Sequence, residues 1–389
     1  MEKEYSEKVY YCTLNRLFGF RPDITRGIID CLGSAGELFK MKLDSFWGQR
    51  GVFAQIAPML NEKELQASEE ELLMLGDRGI DFITIADKAY PELLRDCPDA
   101  PAGLYFKSCS PAEEVFNRRR QIAVVGTRDI SQYGREWCQR IVMTLAESEG
   151  KPLIVSGFAL GVDITAHLTA LDTGLPTVAV LPTGITDVYP PQNRKYVDRL
   201  TNTPGCAFIT DYPCGTVPKA INFLRRNRII AGICSGTILI ESKAKGGGMM
   251  TARLATSYNR DLMVLPGRAD DIRSEGCNQL LKEKLAEPIV DGKGLLETLG
   301  LRPGIKRTRP GLMDEIETLF RCELTDIGLS EIKAVAKMIQ KYRGISADEL
   351  SATTGLNYSK IRTYTGLLEC AGIISIDLLQ RCSLMVRTV

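Results

Sequence analysis

From residue 121 the chain repeats one pattern. Runs that are apolar at nearly every position, "QIAVVGTR", "PLIVSG", "TVAVLPTG", "AFITDYP", "GTILIES" and "DLMVLPG", each close on a glycine, a proline or a polar loop. Segments of helical spacing, near 133–148 and 161–172, separate the earlier runs. A strand with no polar face is covered on both sides. Such strands alternating with helices predict a parallel, doubly wound α/β sheet over a central domain, 72–298.

The flanks read differently. Residues 1–71 place apolar residues at helical spacing in short segments, broken by glycine and by Arg21-Pro22-Asp23. This predicts a small N-terminal helical domain, either of SAM or helix-hairpin-helix type or a plain helical cap. A helix then leads into a strand at 82–85, and a proline-rich loop into a second apolar run at 104–106. Residues 299–311, basic and rich in proline and glycine, predict a linker. Beyond it, 312–389 predict a winged-helix-like domain. Ser346 and Glu349 have capping-box spacing, and Gly355 separates two helices ahead of a strand. Such units bind DNA or dock proteins. The second helix, "NYSKIRTYTGLL", carries only Lys360 and Arg362, which favours a protein partner.

Composition narrows the function classes. The 389 residues are 44% hydrophobic and 25% charged, an ordinary globular balance with room for two or three domains. Net charge is +1, so an anion site has to come from local clustering. Twelve cysteines without a C-x-x-C pair read as reduced thiols of a cytoplasmic protein, with no zinc site. "MEKEYSEKVY" lacks a signal-peptide core, and no run of 18 apolar residues predicts a membrane span. The single histidine, His167, leaves little for metal binding or histidine catalysis, and no GxxxxGK[ST] loop occurs.

In open α/β sheets ligands sit beyond the carboxyl ends of the strands. The loops there share a composition: "GTR" (Gly126, Thr127, Arg128), "SGFALGVD" (with Ser156 and Gly157), "PTGITDVYPPQN" (ending at Asn193), "ESKAKGGGMMTA" (with Lys243, Lys245, Gly247, Gly248 and Thr251) and "PGR" (Arg268). Glycine lets backbone amides approach an anion, and helix starts behind the loops add positive dipole. Any one such loop is equally a tight turn; the set favours an extended phosphate-bearing ligand. It is not a G-x-G-x-x-G dinucleotide fingerprint.

"NFLRRNRIIAG" places Arg225, Arg226 and Arg228 after Phe223 and ahead of an apolar segment, 229–233, that starts a helix or strand. The ring suits base stacking and the arginines suit phosphates of single-stranded nucleic acid, with Asn227 bonding a base or capping a helix. The competing reading has Phe223 in the core and the arginines paired with carboxylates such as Asp187 or Glu241. Asp163 and His167, four residues apart on one helix, read as a structural pair.

"VGTR", "SGFALGVDITAH", "YPPQN", "FLRRNRIIAG", "GGGMMTARLA", "VLPGR" and "EGCNQLL" occur in one order over about 72–296. In this the chain resembles the DNA-processing protein A (Smf) family. The resemblance implies an extended Rossmann-like fold and a non-enzymatic protein with no cofactor. Its implied role is to bind single-stranded DNA in a basic pocket, protect incoming strands in natural transformation and help load the RecA recombinase, commonly as a homodimer. Carried over, Arg128 contacts phosphate, Phe223 holds a base, and Arg226, Asn227 and Arg228 line or brace the pocket. Three positions differ from the family pattern. The basic residue usually three before the aromatic is Ala220 here, with Lys219 one step earlier. Leu224 replaces a proline, and Gly246 a serine. A lower DNA affinity than the family norm is expected. The alternative function is a Rossmann-like nucleoside monophosphate phosphoribohydrolase, with Glu241 as its acid; the PGGxGT-type loop of those enzymes is missing.

Overall fold

The computed structural model describes residues 4–40, 56–117, 120–304, 312–342, 344–377 and 379–385. The stretch 41–55 of the expected helical domain, and the expected linker from 305 on, lie outside the described residues. The chain divides into two compact units, 1–304 and 305–389.

The first unit is built on a sheet of nine strands among the described residues: β1 (Ile80–Thr84), β2 (Gly103–Lys107), β3 (Gln121–Val125), β4 (Leu153–Ser156), β5 (Thr177–Val180), β6 (Ala207–Thr210), β7 (Gly236–Leu239), β8 (Asp261–Val264) and β9 (Glu287–Pro288). Their order is β1-β2-β6-β5-β4-β3-β7-β8-β9. From β6 to β9 every pairing is parallel, and β2 runs antiparallel to both β6 and β1. β4, β5, β6 and β7 are buried at every position, as their unbroken apolar runs require. The fold is therefore the doubly wound, Rossmann-like sheet that the apolar pattern predicts.

From β3 the chain builds β4, β5 and β6 outward on one side, then crosses back to β7 on the other side of β3. This reversal leaves a crevice beyond the carboxyl ends of β3 and β7. The crossover from β6 to β7 is the helix Ala220–Ile233, which packs over β3, β4 and β5 and against the helix Gly247–Ser257. The arginines thus lie inside a helix rather than ahead of one. The helix is buried at Asn222 and at every position from Arg226 to Ile233. Four of these, Asn222, Arg226, Asn227 and Arg228, are polar, so the apolar run becomes visible in the sequence only at Ile229.

The N-terminal helices Glu7–Phe18, Pro22–Leu32 and Ala35–Lys40 and the helix Glu62–Gly76 share one apolar core with β1 and β2. Polar contacts register them on the sheet. Asn15 Nδ2 donates to Asp211 O at 2.7 Å. The Arg16–Glu71 ion pair (2.7 Å) is continued by Cys214 N donating to Glu71 Oε1 at 2.8 Å.

The second unit has helices Leu312–Phe320, Asp326–Lys341, Ala347–Thr354 and Tyr358–Cys370 around its own core, centred on Ile316, Ile332, Val335 and Ile361. An antiparallel sheet of β10 (Ile345–Ser346), β11 (Ile374–Ile376) and β12 (Arg381–Leu384), in the order β10-β12-β11, completes it. The Ser346–Glu349 capping box is formed, and Gly355 ends its helix in the left-handed region at φ 72°. No helix of the described residues is long and apolar enough to cross a membrane. No group of three or more described His, Cys, Asp or Glu side chains is placed to hold a metal ion.

Candidate functional site

A cleft of about 580 Å³ opens at the reversal point between β3 and β7. One wall is the loop after β3, Gly126, Thr127 and Arg128. That loop is fixed from below: Thr127 N donates to Glu241 O at 2.8 Å, and Thr127 O accepts from Val162 N at 3.1 Å. The opposite wall is the loop after β7 with Ser242, Lys243, Gly246, Gly247, Gly248 and Thr251. The two walls approach closely at Gly248, where an added Cβ would stand 2.7 Å from Leu239 Cδ1 and 3.3 Å from Gly126 Cα. A side chain there would displace the end of Leu239 and press the two walls apart by a few tenths of an ångström.

The start of the arginine helix closes the third side. Ala220, Phe223, Leu224, Arg226 and Asn227 all line the cleft. Arg128 is exposed and lays its guanidinium over the Phe223 ring, 4.7 Å from the centroid. Tyr189 meets the same ring edge-on, with centroids 5.4 Å apart. An aromatic face with an exposed cation above it is suited to a base and its phosphate.

Arg226 behaves differently. It is 4% exposed and donates from Nη1 to Val180 O at 2.8 Å, while its Nε has no partner among the described residues. It reaches this position because residue 157 is glycine: a Cβ there would fall on the guanidinium. Burial lowers its pKa to about 10; Asp163 opposes the shift and Arg128 adds to it. Burial raises the Asp163 carboxyl above its ordinary range, against the attraction of Arg226. His167, four residues on, is pushed down to about 3, first by burial and then by Arg226. Its Nδ1 lies 2.7 Å from Thr177 Oγ1, and it faces the core rather than a ligand.

Three helices of 11, 14 and 11 residues begin at this cleft: Val162–Asp172, Ala220–Ile233 and Gly247–Ser257. Their cap positions are Gly161, Lys219 and Gly246, and at none does a side chain bond the first amides. Backbone carbonyls take up part of the first turns, with Val162 N donating to Thr127 O, Ile164 N to Ala159 O, Asn222 N to Lys219 O and Met249 N to Gly246 O. The three N-terminal ends bring positive dipole and their remaining amides to one volume.

Other residues singled out in the sequence lie off the lining. Ser156 is buried and donates to Val124 O at 2.6 Å. Asn193 is buried and donates to Phe158 O at 2.9 Å. Arg228 is buried and bonds Asp211 Oδ2 and Asp99 O, each at 2.5 Å. Its carboxylate is thus Asp211, not Asp187 or Glu241. Arg225 is exposed on the outer face of its helix, and Lys219 and Lys245 are exposed beside the rim. Arg268 is exposed and paired with Asp270 at 2.9 Å. Glu241 is 1% exposed and accepts from both the amide (2.9 Å) and the hydroxyl of Ser131. Tyr189 and Ser242 join the lining without having been singled out, and Leu224, noted only as a departure from the family pattern, joins it too. The one available signal was an aromatic residue, Tyr189, in a rim loop.

Comparison with known proteins bears on what this cleft is. Residues 81–300 match the family model described as DNA recombination-mediator protein A. Protein Smf of Synechocystis sp. is 36% identical over 303 residues, covering 77% of this chain and 74% of that protein. DNA processing protein DprA of Streptococcus pneumoniae is 34% identical over 213 residues, covering 55% of this chain and 72% of that protein. The X-ray structure of DNA processing protein A from Streptococcus pneumoniae superposes with a TM-score of 0.54 at 30% identity, covering 64% of this chain and 89% of that one. The matched region contains the reversal point, the arginine helix and every wall of the cleft, and the chain belongs to the DNA recombination-mediator protein A family.

Proposed function

We propose that the protein binds single-stranded DNA in this cleft, protects incoming strands and helps load the RecA recombinase during natural transformation. It does so in the cytoplasm, as a homodimer and without catalysing a reaction. The observation that carries the reading is the Arg128–Phe223 pair. Its guanidinium has no ion pair or hydrogen bond among the described residues, and it sits over an aromatic ring where three uncapped helix starts converge. Stacking on a ring and phosphate capture by amides and cations is how single strands are held without sequence preference. Membership of a recombination-mediator family supports the same reading and is the support for the recombinase partner.

The hydrolase alternative has less behind it. Its required acid, Glu241, is engaged by Ser131 through both carboxylate oxygens beneath the loop and does not line the cleft. We read the C-terminal unit as a winged-helix docking module for a protein partner. In support, Lys360 is taken up by Glu331 at 2.7 Å and Arg362 donates to Gln380 at 3.2 Å.

Titrating a fluorescent single strand at two salt concentrations, with duplex and a mononucleotide as competitors, tests the reading. Affinity falls steeply with salt, and only single strands compete. Arg128→Glu weakens binding by roughly 100-fold or more with an unchanged unfolding midpoint, since the side chain is exposed. A folded Arg128→Glu variant that binds like wild type, or displacement by the mononucleotide alone, rejects the assignment.

A further inference from the structure

Phe20 follows the end of the first helix and is 52% exposed. It is not loose. Asn15, one turn earlier, is bonded to Asp211 O, and the Phe20 ring lies 6.1 Å from that of Tyr212. Tyr212 in turn donates to Asn222 O of the arginine helix at 3.2 Å. Arg225, two residues beyond Phe223, lays its guanidinium over the Phe20 ring at 4.3 Å. Arg225 is exposed and has no ion pair or hydrogen bond to a described residue.

The same arrangement therefore occurs twice along one helix. Arg128 covers Phe223 inside the cleft, and Arg225 covers Phe20 outside it. Between them in the sequence, Leu224 lines the cleft and is 41% exposed. Successive positions of a helix advance by about 100° around its axis. The sequence 223, 224, 225 thus turns steadily from the cleft toward the N-terminal helices. Alternating aromatic faces and unpaired guanidinium groups are what a single strand tracks.

We propose that Phe20 and Arg225 form a second stacking station. A strand with one base at Phe223 continues over Leu224 and sets a later base on Phe20, with Arg225 on the intervening phosphate. The N-terminal helices then belong to the nucleic-acid surface. This rests on the cleft being the single-strand site.

The test uses the full chain and thymidine oligomers of about four and about 20 nucleotides, one able to occupy the cleft alone and one able to span both stations. Phe20→Ala is expected to weaken the long oligomer about tenfold and to leave the short one within about twofold. Equal loss on both lengths would mean that Phe20 only positions the helix, and unchanged binding of the long oligomer by a folded variant would mean that it does nothing. Either overturns the proposal. Phe20→Trp guards against a misfolded alanine variant. It keeps the long-oligomer affinity, and its emission, after subtraction of the wild-type signal, is quenched by the long oligomer and not by the short one. Absence of quenching overturns the proposal. If wild type binds neither oligomer, the cleft reading itself fails, which is seen before any variant is made.

Discussion

Three helices of the C-terminal unit and the three helices around the cleft start in opposite ways. In the C-terminal unit, Thr325, Ser346 and Asn357 each accept a bond from an amide of the first turn, at 3.2, 3.2 and 2.9 Å. Around the cleft, Gly161, Lys219 and Gly246 leave those amides without a side-chain partner. A side-chain cap contributes about 1 kcal/mol. The α/β unit has caps at Asn61, Ser131 and Asp291, and it also lacks them at helices away from the cleft, among them those after Ser6, Arg21 and Ser274; the cleft differs in that three such starts face one volume. A capped helix start is satisfied by its own chain. Three starts without a side-chain cap, bonded only in part by backbone carbonyls, turn positive dipole toward one volume, where an entering anion meets it.

Helices begun without caps must be fixed by other contacts, and the arginine helix is fixed by Arg228. Its pair with Asp211 is enclosed, with side chains 9% and 5% exposed. Burial raises the Asp211 carboxyl, and Arg228 is the chief group opposing that. Removing one partner of such a pair leaves a charge stranded in the interior. Arg228→Ala should destabilise the α/β unit by ~3–5 kcal/mol in urea unfolding. This is the largest effect expected. A loss under about 1 kcal/mol would mean that the helix is held by its apolar face alone.

The helix Val162–Asp172 is fixed by His167 against Thr177. Burial keeps the imidazole neutral down to about pH 3. In the unfolded chain it takes up a proton near pH 6.5. Between those values the unfolded state holds the extra proton, so stability falls as pH falls, by ~2 kcal/mol from pH 6.5 to 5. Asp163 and Asp211, with raised values, act in the opposite direction as they protonate. His167→Gln should flatten the slope between pH 6.5 and 5 while leaving the carboxylate contribution at lower pH. An unchanged slope would assign it to other groups.

The parallel strands were legible because burial on both faces leaves no polar position to obscure them. The glycine loops were legible because strand ends are where a doubly wound sheet binds. The fates of the arginines were not. Arg225, Arg226 and Arg228 are alike in sequence. One faces solvent, one is folded under Gly157, and one is enclosed by Asp211 and Asp99, which lie 17 and 129 residues away along the chain. Only tertiary partners decide that. The start of their helix was hidden for the same reason, since Asn222 and Arg226 occupy its buried face. The N-terminal pattern predicts helices, but nothing in it announces that Asn15 would bond to Asp211 or that Phe20 would lie beneath Arg225.

The smallest effects test the contrast between the units most directly, because they exchange the two designs. Lys219 already has the extended backbone of a cap residue, φ −125° and ψ 146°. Lys219→Asp therefore gives the arginine helix the kind of cap that the C-terminal unit uses. Stability should rise by about 0.5–1 kcal/mol, from the new bond and the favourable dipole. Single-strand affinity should fall about tenfold, because a carboxylate now occupies the amides and repels phosphate. Lys219→Ser separates the two causes: it gains the cap without the negative charge and should lose less affinity. Ser346→Ala is the converse. It should cost the C-terminal unit about 1 kcal/mol and leave single-strand binding unchanged. Thermal unfolding and oligonucleotide titration of the same three variants decide the matter. If Lys219→Asp stabilises the fold and binds as well as wild type, the open amides are not where the ligand sits, and the difference between the units is one of stability alone.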